Sequence, residues 1–257
     1  MIPLKIYRTW KTQNLSSSYQ AAWNFTAKYN PNFMQILYTD VTMQIFLKKY
    51  YRNHKEFGSS VYDAFYKINP VYAAARADLF RYALMYEKGG VYLDIKSAAY
   101  NISEIVHNKF AFSYWNWNVF RVSSMIVLKS WHGEYQQWWF ATIPKHPVMR
   151  RIIREVIERI NSYQYNGSYE KCKYMRSALG NGVLSYLLFL YPSCVSFDVL
   201  RVTGPYAFTH VIRHSNLHPV APNGDSLFIY DFMKDHRENR SYLEHTYWNV
   251  GKPLVLS

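Results

Sequence analysis

The most constraining feature of this chain lies between Pro70 and Asp94. A helical spacing of Ala73, Ala77, Phe80, Leu84 and Met85 stops at Gly89-Gly90, and the apolar run Val91-Tyr92-Leu93 follows. Paired glycines accept the positive φ at which a helix is broken off, so the long helix cannot continue into that run. A short apolar run bounded by a glycine stop and an acid reads as a buried strand, with Asp94 at its carboxyl end.

The preceding residues repeat this order. Ile2 to Trp10 alternates loosely and is rich in β-formers, a strand ending near Thr9. Gln20 to Tyr29 spaces Ala21, Ala22, Phe25 and Tyr29 as one helical face, closed by Asn30-Pro31-Asn32. Phe33 to Tyr38 is a second strand running into Thr39-Asp40, and Val41 to Tyr51 a second helix with Val41, Ile45, Phe46 and Tyr50 on one side. This rhythm predicts an α/β fold with a mainly parallel central sheet flanked by helices. Ligands of such sheets bind beyond the carboxyl ends of the strands, so Thr9, Trp10, Asp40 and Asp94 all point toward one crevice.

Further on, strands are expected at Phe110–Phe112, Ser124–Leu128, Gln137–Ile143 and Phe197–Val202, with a strand-like end at Pro253–Leu256. His146-Pro147 opens a helix that turns Val148, Ile152, Val156 and Ile160 inward and Arg150, Arg151, Arg154 and Arg159 outward. Leu179–Leu190 reads as an apolar helix. At 257 residues and 49% hydrophobic, with no linker or repeat, the chain suits one domain over 1–257, about 1–105 forming one half and 106–257 the other.

The formal charge of +13 calls for an anionic partner: nucleic acid, a phospholipid surface or a phosphorylated small molecule. No recognition-helix or aromatic-basic strand pattern supports nucleic acid. Met1 to Arg8 lacks the apolar stretch of a signal peptide, and the run around Val183–Tyr191 is too short to span a bilayer. With only Cys172 and Cys194, the chain is expected in a reducing cytoplasm, that of a bacterium or a virus-infected host cell.

Asp94, exposed after the glycine stop, is placed to contact a divalent cation or a diphosphate through hard carboxylate oxygens. Asp78 and Arg81, three residues apart, share a helical face, where they either grip vicinal hydroxyls or pair with each other on the helix surface. Glu134 and Gln137 either lie near such a site or belong to an ordinary loop.

The segment Ala77-Asp78-Leu79-Phe80-Arg81-Tyr82 running into Gly89-Gly90-Val91-Tyr92-Leu93-Asp94 resembles the sugar-binding region of the retaining glycosyltransferases of family 32. This group holds the yeast-type initiating α-mannosyltransferases and the inositol-phosphoceramide mannosyltransferases. Its pattern has a small residue before Asp, a Leu-x-Arg-Tyr step, and Gly-Gly-(Ile/Val)-Tyr-Leu-Asp-x-Asp. The opening Ile2-Pro3-Leu4-Lys5-Ile6-Tyr7-Arg8-Thr9-Trp10 is similar to the family's Ile-Pro-Lys-Ile-Ile-His-Gln-Thr-Trp, with Tyr7 where His is usual. Thr203-Gly204-Pro205 with Thr209, and His146-Pro147, match later signatures. The likeness is good over 2–105, patchy over 130–210 and thin beyond.

The resemblance implies a single-domain, Rossmann-like GT-A fold and transfer of a hexose from a nucleoside-diphosphate sugar to a glycan hydroxyl with retention, mannose from GDP-mannose being favoured over galactose or glucose from UDP-sugars. It implies that Asp78 and Arg81 contact the donor sugar and Asp94 the ribose, metal or diphosphate. Trp10 would lie near the base, and Thr9, Asp40, Tyr92 and Lys96 complete the donor-binding set. Lys96 departs from the pattern, standing where a second acid is usual, which puts a Mn2+ or Mg2+ cofactor in question and offers a point charge to phosphate. His245 is a candidate second metal ligand with Asp94. A basic nucleic-acid-binding module and a non-catalytic nucleotide-sugar-binding protein are the alternatives, the latter favoured by Lys96.

Overall fold

The computed structural model describes residues 1–99, 101–107, 113–114, 117–122, 125–130, 135–164, 199–215, 218–219, 229–231 and 254–256. The chain runs β1 (Lys5–Thr9), α1 (Ser17–Tyr29), β2 (Met34–Tyr38), α2 (Asp40–Tyr51), α3 (Ser60–Lys67), α4 (Ala73–Lys88) and β3 (Gly90–Leu93). It continues through β4 (Ser97–Ala99), α5 (Ile102–His107), β5 (Ser113–Tyr114), β6 (Trp117–Val122), β7 (Met125–Ser130), β8 (Tyr135–Thr142) and α6 (Pro147–Asn161). A π-helical turn at Val199–Thr203, α7 (Pro205–Arg213), β9 (His218–Pro219) and β10 (Ile229–Asp231) follow.

Local chemistry sets the boundaries that matter. Thr39 and Thr42 cap each other reciprocally, so α2 starts directly at the carboxyl end of β2. His146 accepts from the Val148 amide and Pro147 fills the first helical position, which starts α6 where the sequence predicted it. Gly89 and Gly90 have φ of 59° and 101°, which ends α4 and turns the chain straight into β3.

The sheet order is β2-β1-β3-β8-β7-β6-β5, with β9 beside β6. β1 pairs in parallel with both β2 and β3, so the parallel sheet anticipated from the alternating pattern is the part built by residues 5–93. From β3 onward, pairing through β8, β7, β6 and β5 is antiparallel, the arrangement that closely connected strands such as β6 and β7 require. This is a Rossmann-like α/β architecture of the kind expected of a GT-A fold, and it brings the carboxyl ends of β1, β2 and β3 to one edge. Trp10 N, for instance, donates to the Tyr38 carbonyl at 2.9 Å.

Alternating residues of each strand feed different core clusters. Ile6, Val91, Leu93, Trp139 and Ala141 pack in one, with Phe33 and Ile102, whereas Tyr7, Tyr92 and Phe140 join the larger cluster with α2, α3, α4, α6 and α7. Both faces are therefore covered, which explains why the strands read as continuous apolar runs. Among the described residues no helix is long and apolar enough to cross a membrane.

Several expectations need correction. In α2 the buried face is Met43, Phe46, Leu47 and Tyr51, while Val41 and Ile45 are exposed. The expected set mixed two faces of the helix; residues at 43, 46, 47 and 51 share the inward one. In α1 the inward residues are Ala22 and Thr26, and Tyr29 is exposed. Thr26 is taken inside because its hydroxyl bonds Arg8 and the Ala99 amide, and Asn30 at the helix end clips Ala99 and Ile102 in the same way. The predicted strand at Phe197–Val202 is a π-helical turn from Val199, closed by Gly204 N donating to the Val199 carbonyl. Helix α3 went unread, its eight residues holding too few turns to show a period. Val255 forms an isolated antiparallel bridge with Ile68. The predicted elements at Phe110–Phe112 and Leu179–Leu190 lie outside the described residues.

A Cβ on Gly90 would stand 2.7 Å from the Lys5 carbonyl oxygen, at a φ that side chains rarely adopt. Gly90→Ala is expected to lower stability by about 2–4 kcal/mol, read as a shifted urea midpoint at unchanged slope. An unmoved midpoint would contradict this account of the helix stop.

Candidate active site

Helix α4 is buried over the whole stretch Leu79–Tyr86, so Asp78 and Arg81 face protein, not solvent. Asp78 is 1% exposed and Arg81 4%, and the two pair at 2.9 Å across one helical turn. The pairing is the one their spacing allowed, but it is made in the interior and not on the helix surface. Arg81 Nη1 also donates to the Gln137 carbonyl at 3.0 Å and lies 3.5 Å from Asp94 Oδ1. Its guanidinium carbon stands 4.7 Å from the centre of the Tyr92 ring, whose hydroxyl shares a 2.8 Å hydrogen bond with Thr9 Oγ1. Arg81 Nε is buried with no acceptor among the described residues, a cost of about 1–3 kcal/mol that its other contacts must offset.

Asp78 accepts on both oxygens: Gln137 Nε2 donates to Oδ1 at 3.2 Å, and Thr203 Oγ1 to Oδ2 at 3.1 Å. The Tyr82 hydroxyl contacts Gln137 Oε1 and the Thr203 carbonyl. Gln137 reaches this group because the β7–β8 register jumps from Val127↔Phe140 to Leu128↔Gln136, leaving residues 137–139 as a bulge toward β7. On the β3 side the pairing stays in step, with Leu93 opposite Trp139 and the Asp94 amide donating to the Trp138 carbonyl at 2.9 Å. Thr203 arrives from the π-helical turn that leads into α7 through Gly204-Pro205.

Burial pushes the Asp78 carboxyl up to about 6, against the Arg81 guanidinium, the Thr203 hydroxyl and the Gln137 amide, all of which favour the anion. Burial disfavours the Arg81 cation, but Tyr92, Asp94 and Asp78 around it outweigh that and hold it well above its ordinary value. The Tyr92 phenol is raised, chiefly by burial.

Thr9, Asp78, Arg81, Tyr92 and Asp94 are thus brought into one connected group. Within it Tyr92 is wholly buried and acts as support beneath Arg81. Trp10 sits at the rim with its ring edge-on to Tyr19 at 4.7 Å. Asp40 is exposed at the start of α2. Lys96 is half-buried in the turn after β3 and, like Asp40, makes no hydrogen bond or ion pair with the group among the described residues. His245 and Glu134 lie outside the described residues.

Among the described residues no three His, Cys, Asp or Glu side chains cluster as metal ligands. Asp94, with its side chain 18% exposed, is the carboxylate of the group that opens toward solvent. One carboxylate suits a small hard cation that completes its shell with phosphate oxygens and water.

Residues 16–111 match the family described as the glycosyltransferase sugar-binding region containing a DXD motif. Inositol phosphoceramide mannosyltransferase 3 of Schizosaccharomyces pombe is 31% identical over 94 residues, which cover 37% of this chain and 24% of that protein. The chain thus spans about a quarter of the length of this relative. Among solved structures, the PaToxG glycosyltransferase is 16% identical, with a TM-score of 0.49 over 83% of this chain and 69% of that one. The UDP-bound glycosyltransferase domain of the YGT toxin is 12% identical, with a TM-score of 0.45 over 88% and 80% of the two chains. Residues 16–111, which hold Asp78, Arg81 and Asp94, are thus similar to a glycosyltransferase sugar-binding region.

Proposed function

We propose that this chain is a nucleotide-sugar-dependent hexosyltransferase that moves a hexose to a glycan hydroxyl with retention, mannose from GDP-mannose ahead of galactose or glucose from UDP-sugars. The observation that carries the reading is Arg81 joining Asp78 to Asp94 at the carboxyl end of β3, inside the matched sugar-binding region. The preference for mannose rests on the likeness to the fungal mannosyltransferase. The chain acts as one domain in the cytoplasm, with residues 1–105 on the donor side and 106–257 on the acceptor side.

In this reading Trp10 is the platform for the base, with Thr9 and Asp40 at the same edge of the sheet. Asp78 and Arg81, held by Gln137, Thr203 and Tyr82, orient the donor sugar. Because Arg81 touches both carboxylates, it fixes the sugar contact relative to the diphosphate contact at Asp94. Lys96 meets the diphosphate as a point charge. A Mn2+ or Mg2+ ion, when bound at Asp94, with His245 the candidate second ligand, would offset the charge developing on the leaving diphosphate. The acceptor hydroxyl attacks the face that the diphosphate leaves: the anomeric carbon exchanges its phosphate oxygen for the acceptor oxygen, and the hydroxyl proton passes to the leaving phosphate.

Asp94→Ala and Asp78→Ala are each expected to cut donor turnover by about 100-fold or more while far-UV circular dichroism stays unchanged. Wild-type turnover in either variant refutes its assignment. The Asp78 carboxylate is raised, so its anion forms only above about 6, and turnover should fall as pH drops through that value. Thr203→Val, which deletes a hydroxyl favouring the anion, should move this acid limb to higher pH. A limb at the same pH in the variant would detach it from Asp78.

Lys96 favours a second reading, a protein that binds nucleotide-sugar without transferring it. Melting-temperature shifts with GDP, UDP and their sugars, run beside a sugar-nucleotide hydrolysis panel, separate the two. Binding without turnover selects the second reading, and no nucleotide-induced shift sinks both.

A further inference from the structure

Arg8 lies on β1 and is 0% exposed. Its hydrogen-bond partners among the described residues are oxygens of carbonyl, amide and hydroxyl groups, and its guanidinium carbon lies 5.6 Å from the centre of the Trp23 ring. Nε donates to Gln35 Oε1 at 3.1 Å and Nη2 to Thr26 Oγ1 at 2.8 Å. Nη1 reaches the carbonyl oxygens of Ser97 at 2.7 Å, Ile95 at 3.2 Å and Asp94 at 3.4 Å. The last three belong to the tight turn that leaves β3, closed by the Ser97 amide donating to the Asp94 carbonyl at 3.0 Å. That turn carries Asp94 at its start and Lys96 at its centre.

Burying a guanidinium is costly, and a strand between two apolar core clusters is an unfavourable place for one. Burial lowers Arg8 to about 9, with Asp94 and Tyr92 offsetting part of the effect, so it remains a cation at neutral pH. One arm of its planar fork, Nη1, faces the three carbonyls of the turn with two N–H groups, while Nε and Nη2 anchor the other sides to β2 and α1. A lysine ammonium, a compact point charge, cannot span that set.

We propose that Arg8 is the positioning residue for the diphosphate of the donor: from beneath, it fixes the Asp94–Ser97 turn and sets a positive charge behind Asp94 and Lys96. This rests on the donor-site reading above. Arg8 itself touches no ligand, and its effect falls on the diphosphate, because the turn it holds is the part of the site that carries the diphosphate contacts.

The test is calorimetric titration of GDP, UDP, GMP and UMP, with and without manganese, into the wild-type chain and the variants Arg8→Gln, Arg8→Lys and Gln35→Met. Arg8→Gln should weaken the diphosphate that the wild type prefers by about tenfold or more while the matching monophosphate changes by less than about threefold. Arg8→Lys should lose most of the same affinity, since it keeps the charge but not the fork. Gln35→Met, which removes the Nε acceptor at an edge strand and with it the bond from Gln35 Nε2 to the Trp23 carbonyl, should weaken the diphosphate by about two- to threefold. Equal losses for mono- and diphosphate, or no loss, overturn the role of Arg8. If the Arg8 variants do not fold, unchanged diphosphate affinity in Gln35→Met overturns it. A wild-type chain that binds no nucleotide overturns the donor-site reading, and the proposal with it.

Discussion

The candidate site depends on one buried cation. Arg81 ties Asp78 on its own helix to the Gln137 carbonyl on β8 and to Asp94 beyond β3, and it lies over the Tyr92 ring. These contacts join three elements through one side chain. A guanidinium can do this because it is flat, always charged and rich in directed donors. Removing it would leave two carboxylates close together in a water-poor site with no cation between them. Stability and chemistry are therefore coupled here, and the ion pair is better understood as a device for fixing relative position than as a source of net folding energy.

What could be read in the sequence follows from the range of the interactions. Asp78 and Arg81 are one turn apart, and Gly89-Gly90 announces the strand that ends at Asp94, so these three were legible from local spacing. Gln137 meets Asp78 only through a bulge in β8, and a jump in register leaves no mark on periodicity. Thr203 was visible as part of Thr203-Gly204-Pro205, but its bond to Asp78 closes over 125 residues. Arg8 did leave a signal, a charged residue amid the apolar residues of a strand that proves buried on both faces, though nothing local tells which turn it holds. The misread face of α2 has a plainer cause: Val41 and Ile45 are apolar but exposed, and composition alone cannot tell them from Met43 and Leu47.

The mixed sheet separates two tasks. The parallel part, β2-β1-β3, sets the edge at which ligands of such folds are held, because parallel strands bring their carboxyl ends together. The antiparallel part enters as support, with β8 lying along β3 and sending Gln137 back beneath the pair on α4. Asp78, Arg81 and Asp94 thus come from early in the chain, while Gln137 and Thr203, which fix Asp78, come from later.

The polar clip on α1 has a consequence for motion. Thr26 and Asn30 hold Arg8, Ala99 and Ile102, so the segment after the Asp94 turn is fastened to a helix whose outer face is exposed. Helix α1 is thereby tied to Ala99 and Ile102, whereas α4 is buried over most of its length. Any event that loosens α1 from outside would reach Arg8 and the floor of the site without passing through its mouth.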